Sequence, residues 1–406
     1  MRAFAFLVLP ALAAAAPVTT LPTGTGGGTG TSVPLTKRSK LLNEDGGVNL
    51  KFLSRHLDRV TSKLDRGLTA YLANTGIAHT LAQSLNLLHL SDPLTRRAGN
   101  LALADEDDIV WTGTLSIGTP PKEFSIDFDT GSSDIVVPAA ECTDVCKDAQ
   151  RYNISTSSSG KDLGRNFTLK YGDGSQTSGK QIGETVTVAG LQATNQTIGA
   201  ASAVTDGFLD SMDGLVGLAF PTISTYHAQP LMQTLLAQNK SLEPVFGMKL
   251  AKNGSQLTLG GTDKTLYTGE PTYVPVTEEG YWQVDFAGIK VGKEDLALNK
   301  TKTAIVDSGT TLIIGDEDSV RAFYAAVPGA KEIDGQPGLF SVPCEGLPEM
   351  SITFGNKAIN IAPETFNLGP VQSGSSDCVA GVQYTSGVSF WIFGDVLMKN
   401  VRGLLM

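Results

Sequence analysis

The spacing of apolar residues divides the chain into two unlike regions. Within 50–72, Leu50, Leu53, Leu57, Val60 and Leu64 recur at three- and four-residue intervals with basic residues between them, a period that predicts an amphipathic helix. From Ile109 onward the pattern changes to short β-rich runs, among them 124–128, 135–137, 184–188 and 257–259, separated by Gly, Asn, Asp and Ser. Such runs predict a mostly β body. The better helical stretches in that body are 229–238 and 320–326.

Upstream of the helix, Met1-Arg2 leads into an uncharged stretch that ends in small residues at Ala16. One charge followed by an apolar run too short to span a bilayer predicts a secretory signal peptide over 1–16. Residues 17–35 are rich in Thr, Gly and Pro and bury too little apolar area to order themselves. Dibasic pairs at Lys37-Arg38 and Arg96-Arg97 suit a processing protease of the secretory route, and the second falls where the composition changes. Six Asn-x-Ser/Thr sequons, at Asn153, Asn166, Asn195, Asn239, Asn253 and Asn299, agree with that passage as candidate glycosylation sites. Beyond the N-terminus no apolar run approaches membrane-spanning length, so no membrane anchor is expected.

Charge sharpens the division. The 406 residues carry a net charge of −10, yet residues 1–98 hold 11 Lys/Arg against 5 Asp/Glu, and the rest holds 20 against 36. A +6 leader therefore precedes a −16 body, and an acidic body argues against nucleic acid or anionic membrane as partner. Histidines occur at 56, 79, 89 and 227, which leaves no His-rich zinc site and little material for a serine or cysteine triad. No Gly-Lys pair is followed by Ser or Thr, so a phosphate-binding P-loop is absent; no metal and no cofactor are expected. The four cysteines form a tight pair, Cys142 and Cys146, and a distant pair, Cys344 and Cys378. Export favours two disulfides, and of the three possible connectivities the pairing of neighbours is expected.

The chemistry lies in a repeated frame. Phe128-Asp129-Thr130-Gly131-Ser132-Ser133 recurs as Val306-Asp307-Ser308-Gly309-Thr310-Thr311, each behind an apolar run, and 213–218 is echoed by 390–395 as an apolar run enclosing Gly. The body therefore reads as an internal duplication, with halves near 100–275 and 276–406, each contributing one carboxylate. Two acids in equivalent turns that face one another cannot both ionise cheaply, so they share a proton. Such a pair can take a proton from a water as base and protonate a carbonyl oxygen or leaving nitrogen as acid. The Gly after each Asp-Thr/Ser permits close approach and donates an amide, and the hydroxyls supply further hydrogen bonds.

On these motifs the sequence resembles the pepsin-like aspartic endopeptidases, particularly the secreted fungal ones, over roughly residues 110–399. Tyr171-Gly172-Asp173-Gly174-Ser175 is similar to the family's flap, a hairpin tip that closes over bound peptide, and Ile117-Gly118-Thr119-Pro120-Pro121 to its turn near the mature N-terminus. The cysteine spacing fits as well. The resemblance implies a two-lobed, mostly β fold with a substrate cleft between lobes, here 99–275 and 276–406, preceded by a prosegment over 17–98 that occupies the cleft. It implies Asp129 and Asp307 as catalytic acids, and Tyr171, Gly172, Asp173, Ser175, Gly131, Gly309 and Thr310 around the substrate. Related fungal enzymes with Asp at the place of Asp173 accept Lys before the scissile bond.

Two departures stand out. Val136 occupies the place of a Trp to which the flap tyrosine commonly bonds. The chain also stops at Met406, soon after Gly394-Asp395-Val396, where relatives continue into their last strands, so an incomplete C-terminal lobe with an open sheet edge is expected. The reading is then a secreted or vacuolar, monomeric, acid-active aspartic endopeptidase acting on peptides and held by its own prosegment. The alternative is a catalytically silent binding protein of the same fold.

Overall fold

In the computed structural model the described residues are 3–8, 30–38, 41–83, 110–170, 176–205, 212–239, 242–251, 253–298, 302–385 and 387–405. The two apolar runs that precede the repeated frame become buried strands with the same neighbours. Lys122–Asp129 lies parallel to Leu215–Gly217, which pairs antiparallel with Ile135–Pro138, itself parallel to Leu191–Val204. In the second half Thr303–Val306 lies parallel to Trp391–Phe393, which pairs antiparallel with Ile313–Gly315, itself parallel to Val382–Tyr384. The sequence duplication is thus a duplication of topology. Ile135–Pro138 and Trp391–Phe393 are buried at every position, which explains their unbroken apolar character.

The leader is built into the body. Thr31–Arg38 pairs with Ser255–Leu259 on one side and with Val110–Ile117 on the other. The expected helix forms as α1, Leu50–Thr75, 26 residues and about 39 Å long. The Asn49 side chain accepts from Phe52 N–H at 3.0 Å to start it, and Gly76, with φ 76°, ends it by donating to Leu72 O. Its apolar stripe, including Phe52, Leu57, Val60, Leu64 and Leu68, is buried in the main core. Among the described residues no helix is long and apolar enough to cross a membrane.

Of the two shorter helices, Leu231–Gln238 starts two residues later than expected, and Glu317–Ala325 starts three residues earlier. The earlier start follows from Asp316, whose carboxylate caps Ser319 N–H at 3.1 Å. Disulfides join Cys142 to Cys146 and Cys344 to Cys378, the neighbour pairing. The edge expected to be open at the end of the chain is covered. Val401–Leu405 pairs on one side with Phe246–Lys249 and on the other with Ala3–Val8, which pairs again with Thr268–Glu279. Ala3–Val8 falls within the signal peptide expected over 1–16, so its removal on export would leave Val401–Leu405 with Phe246–Lys249 as its remaining partner and reopen that edge.

Candidate active site

Asp129 ends the strand Lys122–Asp129 and Asp307 directly follows Thr303–Val306, so each carboxylate leaves a buried strand at a tight turn. Both turns hold their acid in the same way. Gly131 N–H donates to Asp129 Oδ1 at 2.8 Å and the Ser132 hydroxyl to Oδ2 at 2.5 Å. Gly309 N–H donates to Asp307 Oδ1 at 3.0 Å and the Thr310 hydroxyl to Oδ2 at 2.6 Å. The intervening residues clasp across the halves. Thr130 N–H donates to Ser308 Oγ at 3.0 Å and Ser308 N–H to Thr130 Oγ1 at 2.9 Å, while the two hydroxyls donate to Val306 O and Phe128 O.

Each glycine also backs the opposite acid: a Cβ on Gly131 would collide with the Asp307 carboxylate, and one on Gly309 with that of Asp129. The two acids are brought face to face by this absence of side chain.

A residue that the sequence did not single out completes the arrangement. Lys63 of α1 reaches into the site, and its Nζ lies 3.1 Å from Asp129 Oδ1, 2.9 Å from Asp307 Oδ1 and 2.8 Å from Asp307 Oδ2. Side-chain exposures of 12%, 0% and 1% for Lys63, Asp129 and Asp307 make this a nearly dry contact, where charge attraction is weakly screened. Two further contacts seat the helix beside it. Thr311 N–H donates to His56 Nε2 at 3.1 Å, and the Tyr281 hydroxyl donates to Leu64 O at 3.0 Å.

Burial pushes Asp307 up to about 6, with Lys63 pulling against it and the Asp129 charge adding to it. Burial also opposes charge on Asp129, but Lys63 and the bonds from Ser132 and Gly131 hold it below the usual carboxylate range. Lys63 stays above its ordinary range because the charges of Asp129 and Asp307 overcome its burial. Two more buried acids surround the pair. Burial, then the Asp129 charge, raises Asp127 well above its usual value. Burial raises Asp395 to about 7 while its Oδ2 accepts from Trp111 Nε1 at 2.9 Å. Beside α1, among the described residues, a cavity reaches Asp129 past an apolar wall of Val136, Leu169, Met212, Leu215 and Ile223.

Tyr171, Gly172, Asp173 and Ser175 lie outside the described residues. The flanking strands Lys161–Lys170 and Gln176–Val188 pair antiparallel up to Lys170 opposite Gln176. Val136 is buried in a small cluster with Cys142, Cys146, Phe167, Leu169 and Tyr226. Of the sequon asparagines, Asn166, Asn195 and Asn253 are exposed, Asn153 and Asn239 are half-buried, and Asn299 lies outside the described residues.

A family model described as eukaryotic aspartyl protease matches residues 110–402. The chain belongs to that family. It is 36% identical over 318 residues to an aspartic protease of Phaffia rhodozyma, covering 76% of this chain and 77% of the relative. It is 35% identical over 319 residues to aspergillopepsin-1 of Aspergillus flavus, covering 77% and 78%. With pepsin A of Sus scrofa it shares 32% over 312 residues, 74% of this chain and 80% of the relative. As a member of this family the protein is an aspartic endopeptidase, a hydrolase of peptide bonds.

Proposed function

We propose that Asp129 and Asp307 are the catalytic acids of this aspartic protease and that residues 17–98 form a prosegment which holds the enzyme as a zymogen on the secretory route. The observation that carries both readings is the single ammonium of Lys63 on the two carboxylates. It stands where the attacking water would stand.

With Lys63 withdrawn, two buried carboxyl groups share one proton. The ionised one takes a proton from the water, whose oxygen attacks the peptide carbonyl carbon. The protonated one gives its proton to the carbonyl oxygen, and the tetrahedral adduct collapses with cleavage of the C–N bond and proton transfer to nitrogen. The repeated hydrogen bonds from Gly131, Ser132, Gly309 and Thr310 fix both carboxyl planes for this exchange. Export, glycosylation at the sequons, a monomeric state and a substrate flap at Tyr171–Ser175 complete the reading, with Asp173 admitting Lys before the scissile bond through charge pairing at the rim of an apolar pocket.

Digestion of a peptide library at acid pH tests this. Asp129→Asn and Asp307→Asn should each fold yet cleave almost nothing, and the double variant should be little worse than either. In the same library Asp173→Ser should lose cleavage after Lys and keep cleavage after Phe. Measurable cleavage by Asp307→Asn would remove the dyad assignment, and equal loss after Lys and Phe would remove the role of Asp173.

A further inference from the structure

We propose that His56 is an acid-released latch: its neutral imidazole fastens α1 to the loop that carries Asp307, and protonation of the ring frees the helix while Asp129 beneath Lys63 is still charged. The inference rests on the prosegment reading above and specifies how that segment is let go.

His56 and Lys63 are seven residues apart, two turns along one face of α1. Lys63 lands on the carboxylates, and His56 lands four residues past Asp307, where its Nε2 accepts from Thr311 N–H at 3.1 Å. Thr311 is 1% exposed, so its amide meets the ring away from bulk water. A ring nitrogen accepts only when it carries no proton. Protonation would set N–H against N–H and leave a buried donor without a partner.

The charges around the ring worsen that outcome. On its own helix His56 faces Arg59 and Lys63. The body's acids bordering the same cavity are Asp127, Asp129 and Asp134. Asp129 and the neighbouring Asp307 are engaged by Lys63, Asp134 accepts from Ser224 and Thr225, and burial favours the neutral form of Asp127. Burial first, then Arg59 and Lys63, push the docked imidazole from 6.5 down to about 3.

The other described histidines are arranged differently. His79 lies 3.6 Å from the Glu278 carboxylate, which would partner a proton there. His227 bonds through Nδ1 to the Asn74 side-chain oxygen, a contact that a protonated ring keeps.

The sign follows from linkage. The docked state holds fewer protons on His56 than the released state, so docking is full above 6.5 and weakens as pH falls towards 3. At pH about 4.5 the loss is roughly hundredfold by this group alone. Asp129 lies below its ordinary value of 3.8, so the latch opens while Lys63 still faces a charged acid.

The test follows conversion of the full chain to its shortened form from about pH 7 to pH 3, with sequencing of the new N-terminus. His56→Gln keeps an oxygen acceptor that does not titrate in this range. It should convert roughly a hundredfold more slowly than wild type near pH 4.5 and approach it only near pH 3. His56→Lys, a permanent cation, should convert near neutral pH. Thermal melts of the unconverted variants, and equal activity of the converted enzymes, which lack residue 56, separate the latch from a folding defect. A His56→Gln profile that superimposes on wild type overturns the latch. If wild type loses no N-terminal segment at any pH and Lys63→Met is no more active than wild type near neutrality, the prosegment reading itself fails.

Discussion

Gly131 and Gly309 decide how close Asp129 and Asp307 come, because each occupies the space against which the opposite carboxylate rests. Gly131→Ala should therefore leave a folded protein whose acids are displaced, with kcat for an acid-pH peptide assay down about a hundredfold. Gly288→Ala is the matched control: a Cβ there meets no atom within 4 Å, and activity and melting temperature should hold. Equal activity in the two variants would mean that the acids tolerate a wider separation. At this scale the sequence was informative where a frame repeats. Asp129 and Asp307 stand out because the same Gly and hydroxyl follow each, and those are the groups that bond them. Lys63 and His56 have no such mark. Their partners lie 66, 244 and 255 positions away, and in a basic amphipathic helix they look like solvated residues beside an apolar stripe. Asp127 and Asp395 escaped for a related reason, since burial, which raises both, is a property of the assembled core.

At the scale of elements, α1 was legible because its apolar period is local. Its seat is not, and it depends on a residue that helix propensity disfavours. Gly67 is buried mid-helix, and a Cβ there would collide with the Tyr281 hydroxyl that donates to Leu64 O. Gly67→Ala should strengthen the isolated helix by about 1 kcal/mol and yet loosen its docking, a pair of opposite effects that propensity alone does not produce. The unconverted variant should cleave a test peptide near pH 6 several-fold faster than the wild-type zymogen, with no loss of helical circular dichroism. Activity as low as wild type would show that the Tyr281 contact adds nothing to the hold of Lys63. The terminal strands were read less well than the helix. Val401–Leu405 carries no regular alternation, and its pairing to Ala3–Val8 joins opposite ends of the chain, a match that no local pattern encodes.

Across the whole molecule, residues 1–98 carry +6 and the remainder −16, and on the proposed prosegment reading the two kinds of contact between them answer differently to salt. Charges on the leader that face water are screened over a Debye length of about 10 Å at 0.1 M. The contact of Lys63 with Asp129 and Asp307 is nearly dry and largely escapes screening. The long-range attraction and the buried lock should therefore separate in one experiment. At a fixed pH of about 5, where the leader is partly loosened, raising the salt from about 0.05 to 0.5 M should speed conversion a few-fold by weakening the outer attraction. At pH about 7 the same salt should leave the zymogen latent, because the carboxylates remain charged and Lys63 remains on them. Conversion that ignores salt at pH 5 would mean that the charge division plays no part in holding the leader. Activity appearing with salt at pH 7 would place the lock in the exposed charges and remove it from Lys63.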